Sequence, residues 1–314
     1  MKTIHQSRLL EMLENDAEAE VALREYFVMT TGEAFAFSYQ LRSDVTVIND
    51  VSDSEYEGFV LTAALRAVNG YHKRNRRKYF DRLIMERCDA PVIVSEGDSW
   101  FNHPYLKVTV DCLYEYYNIR SLGEAGDTLR RMTQPATREY LDVISELRPV
   151  AFIFSGIGND ILGNLFQVLK KNDTGELREN PRDHLSKGYV EALRNGLHTY
   201  RSVATELQRI NPEMPMFVHG YDYALPGAGK RCPWLKKPMD ALLIPEQQQP
   251  DVVRIMIDEL NRGLELLSRE TPNLYYVDCR NAAPQPWDDE IHPSEAGYRE
   301  VAQRFHHAIQ SHFG

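Results

Sequence analysis

Five short apolar runs, separated by longer amphipathic segments, constrain the fold of this 314-residue chain most strongly. All five lie at or after Pro91, and turn-forming residues bound them, as is typical of buried strands. Strands that alternate with helices indicate a parallel sheet, because a parallel connection needs a long crossover. The runs are PVIVSE (91–96), YNIRSLG (117–123), PVAFIFSG (149–156), MPMFVHG (214–220) and NLYYVD (273–278).

This alternation predicts one doubly wound α/β domain, residues 91–314, with a five-stranded parallel sheet. Apolar residues at steps of three or four predict a helix over about 185–211, and a last helix begins after Pro293. Two stretches, 164–184 and 221–250, interrupt this alternation and are predicted to be surface insertions that cover a site.

Residues 1–90 are predicted to form a mostly helical N-terminal extension, with helices over about 9–28 and 54–87. Its role stays open among a lid over the α/β domain, an oligomerisation arm and a surface for another protein. The basic stretch His72–Arg82 lies in the second helix and is flanked by acidic residues, which favours a solvated helix face.

Charge narrows the class of partner. The chain has 36 basic and 46 acidic residues, a net charge of −10, which argues against nucleic acid and against charge-driven attachment to anionic lipid. The expected partner is a small molecule or another protein.

Several patterns predict a cytoplasmic protein. Acidic residues near the start replace the apolar stretch of a signal peptide, and no run is long enough to span a membrane. The four cysteines are scattered without metal-ligand spacing, so they are expected to be buried small hydrophobes rather than a structural zinc site. They are Cys88, Cys112, Cys232 and Cys279.

A serine follows the first predicted strand directly. Ser99 comes after a Gly97–Asp98 turn, where its hydroxyl would stand at the carboxyl edge of the sheet. Gly, Asp and Ser are also common turn residues, so this segment alone does not decide between a nucleophile and a plain turn.

A base for that serine stands near the other end of the chain. Asp289 and His292 are three residues apart in a loop that leads into the last helix. A serine needs an imidazole to take its proton, and the imidazole needs a carboxylate on its other nitrogen. The alternative is a helix-entry turn with a solvated acid.

Two further positions offer hydrogen bonds to a developing oxyanion. Asn159 follows the third predicted strand and carries an amide, while Gly126 follows the second and offers its backbone N–H. With Ser99, Asp289 and His292, these residues follow four different strands of the predicted sheet. A doubly wound fold places its active site at that edge.

In these blocks the sequence resembles the SGNH or GDSL-type hydrolases. The matching residues are GDS at 97–99, Gly126, the Asn159–Asp160 pair and the DxxH of Asp289–His292, over about residues 91–312. The resemblance implies a flavodoxin-like three-layer α/β/α fold that cleaves acyl esters. It implies Ser99 as nucleophile, His292 as acid and base, Asp289 as its orienter, and an oxyanion hole of the Ser99 and Gly126 N–H groups and the Asn159 amide.

The sequence departs from the family pattern at two positions. Trp100 follows the serine, a mark of one subgroup, and Ile157 stands where the family usually has glycine. Both are candidates for lining the substrate pocket, as is Tyr221 in the HGYDY segment after the fourth strand, although a core role is equally consistent with each.

The residues therefore predict a serine hydrolase of a small acyl ester or an acetylated carbohydrate. This reaction requires no metal and no organic cofactor. A different class remains open: a binding or scaffold protein on the same fold that uses the N-terminal helices for contact. GAGKR at 227–231 lacks the residues of a phosphate loop, and the histidines of the last helix lack partners at ligand spacing.

Overall fold

The structure is a computed structural model that describes residues 2–15, 18–31, 37–48, 55–103, 106–229 and 234–313. Its N-terminal region contains both short strands and helices. In chain order these are β1 (Lys2–His5), α1 (Gln6–Glu14), α2 (Ala19–Tyr26), β2 (Phe27–Thr31), β3 (Phe37–Leu41), β4 (Val45–Ile48) and the long helix α3 (Glu55–Glu86).

The prediction of one helix over 9–28 is wrong in part, because the helix is interrupted after Glu14 and residues 27–31 are a strand. β2 pairs antiparallel with β3, and β1 pairs parallel with β4. Such pairing depends on residues further along the chain, so the local periodicity of the sequence does not reveal it. The region has a small core of its own around Leu9, Leu13 and Phe27.

The predicted helix over 54–87 is confirmed as α3, and its second half packs on the α/β domain. Leu83 belongs to the main hydrophobic core, and the Arg87 guanidinium donates to the Tyr114 carbonyl at 2.6 Å. One residue of its basic stretch also contacts the α/β domain: Arg76 forms an ion pair with Asp111 at 3.2 Å and is largely buried. The prediction of a purely solvated basic face is therefore wrong for Arg76. The domain boundary at residue 90 stays a prediction.

Each of the five apolar runs contains a strand of one parallel sheet, as predicted. The order across the sheet is β6-β5-β7-β8-β9. The strands are β5 (Val92–Gly97), β6 (Asn118–Ser121), β7 (Ala151–Ser155), β8 (Met216–His219) and β9 (Leu274–Val277).

Helices cover the sheet on both faces, which gives the three-layer α/β/α architecture of the SGNH hydrolase fold. One layer contains α6, α9 and α11, and the other contains α4 and α12. The helices of this domain are α4 (Thr109–Leu113), α5 (Leu129–Met132), α6 (Glu139–Leu147), α7 (Gly158–Leu162), α8 (Leu165–Val168), α9 (Lys187–Ile210), α10 (Lys236–Ala241), α11 (Gln249–Glu270) and α12 (Glu295–Phe313).

The cysteines are only partly where the sequence predicts them. Cys112 and Cys279 are buried, whereas Cys88 is an exposed thiol at the end of α3, and Cys232 lies outside the described residues. Among the described residues, no helix is long and apolar enough to cross a bilayer, and no three His, Cys, Asp or Glu side chains cluster as metal ligands would.

Candidate active site

The carboxyl ends of the strands bring the predicted residues to one edge of the sheet. Ser99 stands two residues after β5, Asn159 is in the first turn of α7 after β7, and Asp289 and His292 lie in the loop before α12. The connection from β6 carries Gly126. This convergence follows from parallel topology, because every strand then ends at the same edge.

Ser99, His292 and Asp289 form a continuous hydrogen-bonded chain. His292 Nε2 lies 2.8 Å from Ser99 Oγ, and His292 Nδ1 lies 2.8 and 2.9 Å from the two oxygens of Asp289. All three side chains are buried. The imidazole is thus placed to receive a proton from the serine while the carboxylate holds its other nitrogen.

The Asp289 carboxylate is held in place by donors on several sides. Its Oδ1 accepts the N–H groups of Ile291 at 2.9 Å and of His292 at 2.8 Å, and the Trp234 indole donates to Oδ2 at 3.3 Å. Burial alone would raise the pKa of Asp289, but the charge of His292 and the hydrogen bonds from His292 and from the Ile291 N–H lower it below its usual value. The group is therefore ionised at neutral pH.

The Asn159–Asp160 pair fixes the loop that carries Gly126. Asn159 donates from its amide to the Asp127 carbonyl at 2.6 Å, and Asp160 accepts the Leu129 N–H at 2.8 Å. Gly126 has a φ of +80°, a left-handed conformation that glycine adopts without strain. Among the described residues, the N–H groups of Ser99 and Gly126 donate to no protein acceptor, so both remain available to a ligand.

A small pocket opens beside Ser99. It contains a cavity of about 30 Å³, two to three times what one water molecule needs. Both apolar and polar side chains line it, and they come from α7, α11 and the loops that follow β5, β8 and β9. The lining residues are Asp98, Ser99, Trp100, Gly158, Asn159, Leu162, Tyr221, Asp222, Ala224, Ile257 and Ile291.

The three candidate substrate-lining residues take different positions. Trp100 and Tyr221 line the pocket, and the Trp100 indole donates to the Ile291 carbonyl at 3.0 Å. Ile157 is a core residue that does not line this pocket; it packs against Gly196 of α9, where an added Cβ would lie 2.0 Å from Ile157 Cδ1. Its φ is +73°, unusual for a β-branched residue.

The model of the GDSL-like Lipase/Acylhydrolase family matches residues 63–300 of the chain. The protein belongs to this family. The match begins within α3 and ends within α12, so it covers the whole sheet and every residue of the candidate site.

Solved structures similar to this GDSL-like protein include carbohydrate esterases. A family 3 carbohydrate esterase from Clostridium thermocellum is 14% identical with a TM-score of 0.41, over 71% of this chain and 96% of that one. A carbohydrate esterase family 3 protein from Talaromyces cellulolyticus is 11% identical with a TM-score of 0.43, over 71% and 98%. No curated protein matches the chain.

Sequence reasoning missed the residues that close the insertion 221–250 over the site of this GDSL-like protein. Glu290, next to Asp289, is buried and accepts the N–H groups of Gly227 at 2.5 Å and Lys236 at 3.1 Å, and that of Leu235. The predicted insertion is thereby tied to the DxxH loop. A buried glutamate beside Asp289 has no local sequence signal, because its partners are backbone groups more than 50 residues away.

Several buried carboxyl groups at this edge have raised pKa values. Burial raises the pKa of Glu96 to about 8, of Asp127 to about 7 and of Asp98 to about 6. Hydrogen bonds offset the effect in part, as from the Gly97 N–H to Glu96 at 2.8 Å. The folded protein therefore holds protons that the unfolded chain releases at lower pH.

The free energy of unfolding is expected to fall as pH rises from about 5 to 8. In this window the native state binds more protons than the unfolded state. Each such group lowers the free energy of unfolding by about 1.4 kcal/mol per pH unit until the pH passes its native-state pKa, which is about 6 for Asp98, about 7 for Asp127 and about 8 for Glu96. Glu96→Gln removes one of these groups. The free energy of unfolding of the variant, taken as a difference from that of the unmodified protein, should therefore increase by at most about 4 kcal/mol from pH 5 to pH 8. Urea unfolding at several pH values measures this, and parallel curves for the two proteins would contradict it.

Proposed function

We propose that the protein is a serine hydrolase of carboxylic esters with a small acyl group, free or on a carbohydrate. The observation that carries the proposal is the continuous chain from Ser99 Oγ through His292 to an ionised Asp289, closed by contacts of 2.8 and 2.9 Å. Such a chain activates a serine for attack on a carbonyl carbon.

In the proposed reaction, Ser99 Oγ forms a bond to the ester carbonyl carbon and its proton passes to His292 Nε2. The carbonyl oxygen becomes an oxyanion, which the N–H groups of Ser99 and Gly126 and the Asn159 amide can stabilise. His292 then gives the proton to the departing alcohol, and the C–O bond breaks. Water, deprotonated by His292, then forms a bond to the acyl carbon. The bond from that carbon to Ser99 Oγ breaks, Oγ regains the proton from His292, and the carboxylic acid leaves. These steps use protein groups and water, so the proposal includes no cofactor.

The pocket favours a short acyl chain. A cavity of about 30 Å³ with walls such as Leu162, Ala224 and Ile257 holds a methyl or ethyl group rather than a long hydrocarbon. The buried wall residues limit how far the pocket can widen, since protein interiors are close-packed.

The test is hydrolysis of p-nitrophenyl esters of two to eight acyl carbons, together with labelling by a fluorophosphonate followed by mass determination of the modified peptide. We expect kcat/KM to be highest at two or three carbons and the label to be on Ser99. A flat or rising dependence on chain length would contradict the small acyl group. Absence of both hydrolysis and label would favour a non-catalytic binding role on the same fold.

Asn159→Ala is expected to lower kcat on the order of 10² to 10³-fold, because one oxyanion donor is lost. The loop that carries Gly126 also loses its contact to the Asp127 carbonyl. The measurement is steady-state hydrolysis of p-nitrophenyl acetate. Asn172→Ala is the matched control, since Asn172 is equally buried but donates to the Glu176 carbonyl remote from Ser99. Equal rates for the two variants would count against Asn159 as a donor to the oxyanion.

A further inference from the structure

The hydroxyl of Tyr221 joins two segments of the candidate active site. It donates to Asp98 Oδ2, in the residue before the nucleophile, and accepts the Gly158 N–H at 3.1 Å, in the residue before Asn159. The Gly156 carbonyl lies 2.7 Å from the same oxygen. One side chain thus contacts both the turn of Ser99 and the start of the helix that carries the oxyanion amide.

Tyr221 is held in a conformation that its own backbone disfavours. Its φ is +66°, in the left-handed region where a bulky residue is an outlier, and the side chain is buried. Its ring lies 5.1 Å from that of Trp100 in an edge arrangement, and an added Cβ at Gly158 would lie 2.8 Å from the ring. Strain of this kind persists where surrounding contacts over-determine the position, as they do at functional sites.

Asp98, the residue before Ser99, accepts hydrogen bonds on both of its carboxylate oxygens. Its Oδ1 accepts the Trp100 N–H at 3.0 Å and the Ser155 hydroxyl at 2.9 Å, so Tyr221 is the donor to the remaining oxygen. Ser155 in turn is 2.9 Å from His219 Nε2, while His219 Nδ1 accepts the Tyr221 N–H at 3.2 Å. The network is closed, because both ends return to Tyr221.

The single hydrogen of the Tyr221 hydroxyl limits what this network can do. When Asp98 is ionised, that hydrogen points to the carboxylate, and the Gly156 carbonyl accepts a hydrogen bond from the Tyr200 hydroxyl at 3.0 Å instead. When Asp98 is protonated, its own proton can occupy the contact and the Tyr221 hydrogen turns to Gly156. The charge state of Asp98 therefore selects the direction of the hydrogen bond.

We infer that Tyr221 is a positioning residue, whose hydroxyl, bonded to ionised Asp98 and to Gly158, fixes the Ser99 N–H relative to the Asn159 amide. The inference rests on the proposed esterase function, because it assigns Tyr221 a part in setting the geometry of that reaction. Displacement of reacting groups by about 1 Å can lower a rate on the order of 10²-fold, so a connecting hydroxyl of this kind has a large effect on turnover.

Tyr221→Phe tests the inference because it removes the hydroxyl and keeps the ring. We expect kcat for p-nitrophenyl acetate to fall roughly 10- to 100-fold with KM within about twofold, and the rate of fluorophosphonate labelling of Ser99 to fall in parallel. Tyr189→Phe is the control. It removes an equally buried hydroxyl that donates to the Met256 carbonyl at 2.9 Å, outside the site, and its kcat should match that of the unmodified protein.

The pH profile of kcat/KM separates positioning from general loosening. The titratable groups around Asp98 are Tyr221, His292, Asp127, Tyr200 and Tyr298, with His219 behind Ser155. Loss of the Tyr221 donor raises the pKa of Asp98, so Asp98 becomes protonated at a higher pH. As the pH is lowered, the activity of Tyr221→Phe should therefore begin to fall at a higher pH than that of the unmodified protein or of Tyr189→Phe. All three proteins contain His292, so we assign a difference between their pH profiles to Asp98.

The outcomes are distinct. A Tyr221→Phe enzyme with unchanged kcat, or with kcat lowered equally at every pH, overturns the positioning role and leaves the esterase proposal intact. An unmodified protein that neither hydrolyses the ester nor takes the label overturns both.

Discussion

Ser99→Ala is expected to lower kcat for p-nitrophenyl acetate on the order of 10⁴-fold or more, since no acyl-enzyme can form without its oxygen. His292 keeps its contacts of 2.8 and 2.9 Å to Asp289, so the rest of the site should retain its geometry. The measurement is hydrolysis at saturating ester, together with fluorophosphonate labelling, which should be lost entirely.

Ser202→Ala provides the control for this substitution. Ser202 is exposed on α9, where its hydroxyl donates to the His198 carbonyl at 3.0 Å, and its replacement should leave both hydrolysis and labelling unchanged. Retention of even a tenth of the original kcat by Ser99→Ala would falsify the nucleophilic role.

Asp289→Asn is expected to lower kcat about 10⁴-fold through the tautomer of His292. The backbone N–H groups of Ile291 and His292 donate to Oδ1, so the amide oxygen of the asparagine must take that side. Its NH₂ group then faces His292 Nδ1, which must accept rather than donate. The imidazole proton moves to Nε2, where it prevents acceptance of the proton of Ser99.

Asp288→Asn makes the same change of charge one residue away. Among the described residues, Asp288 is hydrogen-bonded through its backbone N–H, at 3.0 Å to the His292 carbonyl, and not through its side chain, so kcat of the variant should stay within about twofold of the original. The contrast between the two variants, read from kcat at pH 7, separates a tautomer effect from a general loss of negative charge. Similar rates for both would show that Asp289 does not orient the imidazole.

The fold of the α/β domain could be predicted because its signals are local. Each strand is a short run of apolar residues, and all five were identified, as were the helices α3, α9 and α12. The assembly of Ser99, Asn159, Asp289 and His292 at one edge followed from parallel topology together with the family blocks. Strands β1 to β4 of the N-terminal region were not predicted, because their pairing depends on partners elsewhere in the chain rather than on their own periodicity.

The supporting contacts of the site could not be predicted, for a different reason. Glu290, Trp234 and Asp98 have ordinary neighbours in sequence, and their roles arise from groups that are brought together only in the folded chain. Ile157 illustrates the same limit: an apolar residue next to a family block is a candidate for the pocket, but its actual neighbour is Gly196, 39 residues later.

The contact between Ile157 and Gly196 has a consequence for how this protein can diverge. The space for the Ile157 side chain exists because the facing position has no Cβ. Gly196 lies within a 24-residue helix, where glycine is less favourable than alanine by about 0.5–1 kcal/mol. The two positions are therefore coupled: a side chain at 196 collides with Ile157, and a change at 196 to a larger residue requires a smaller residue at 157.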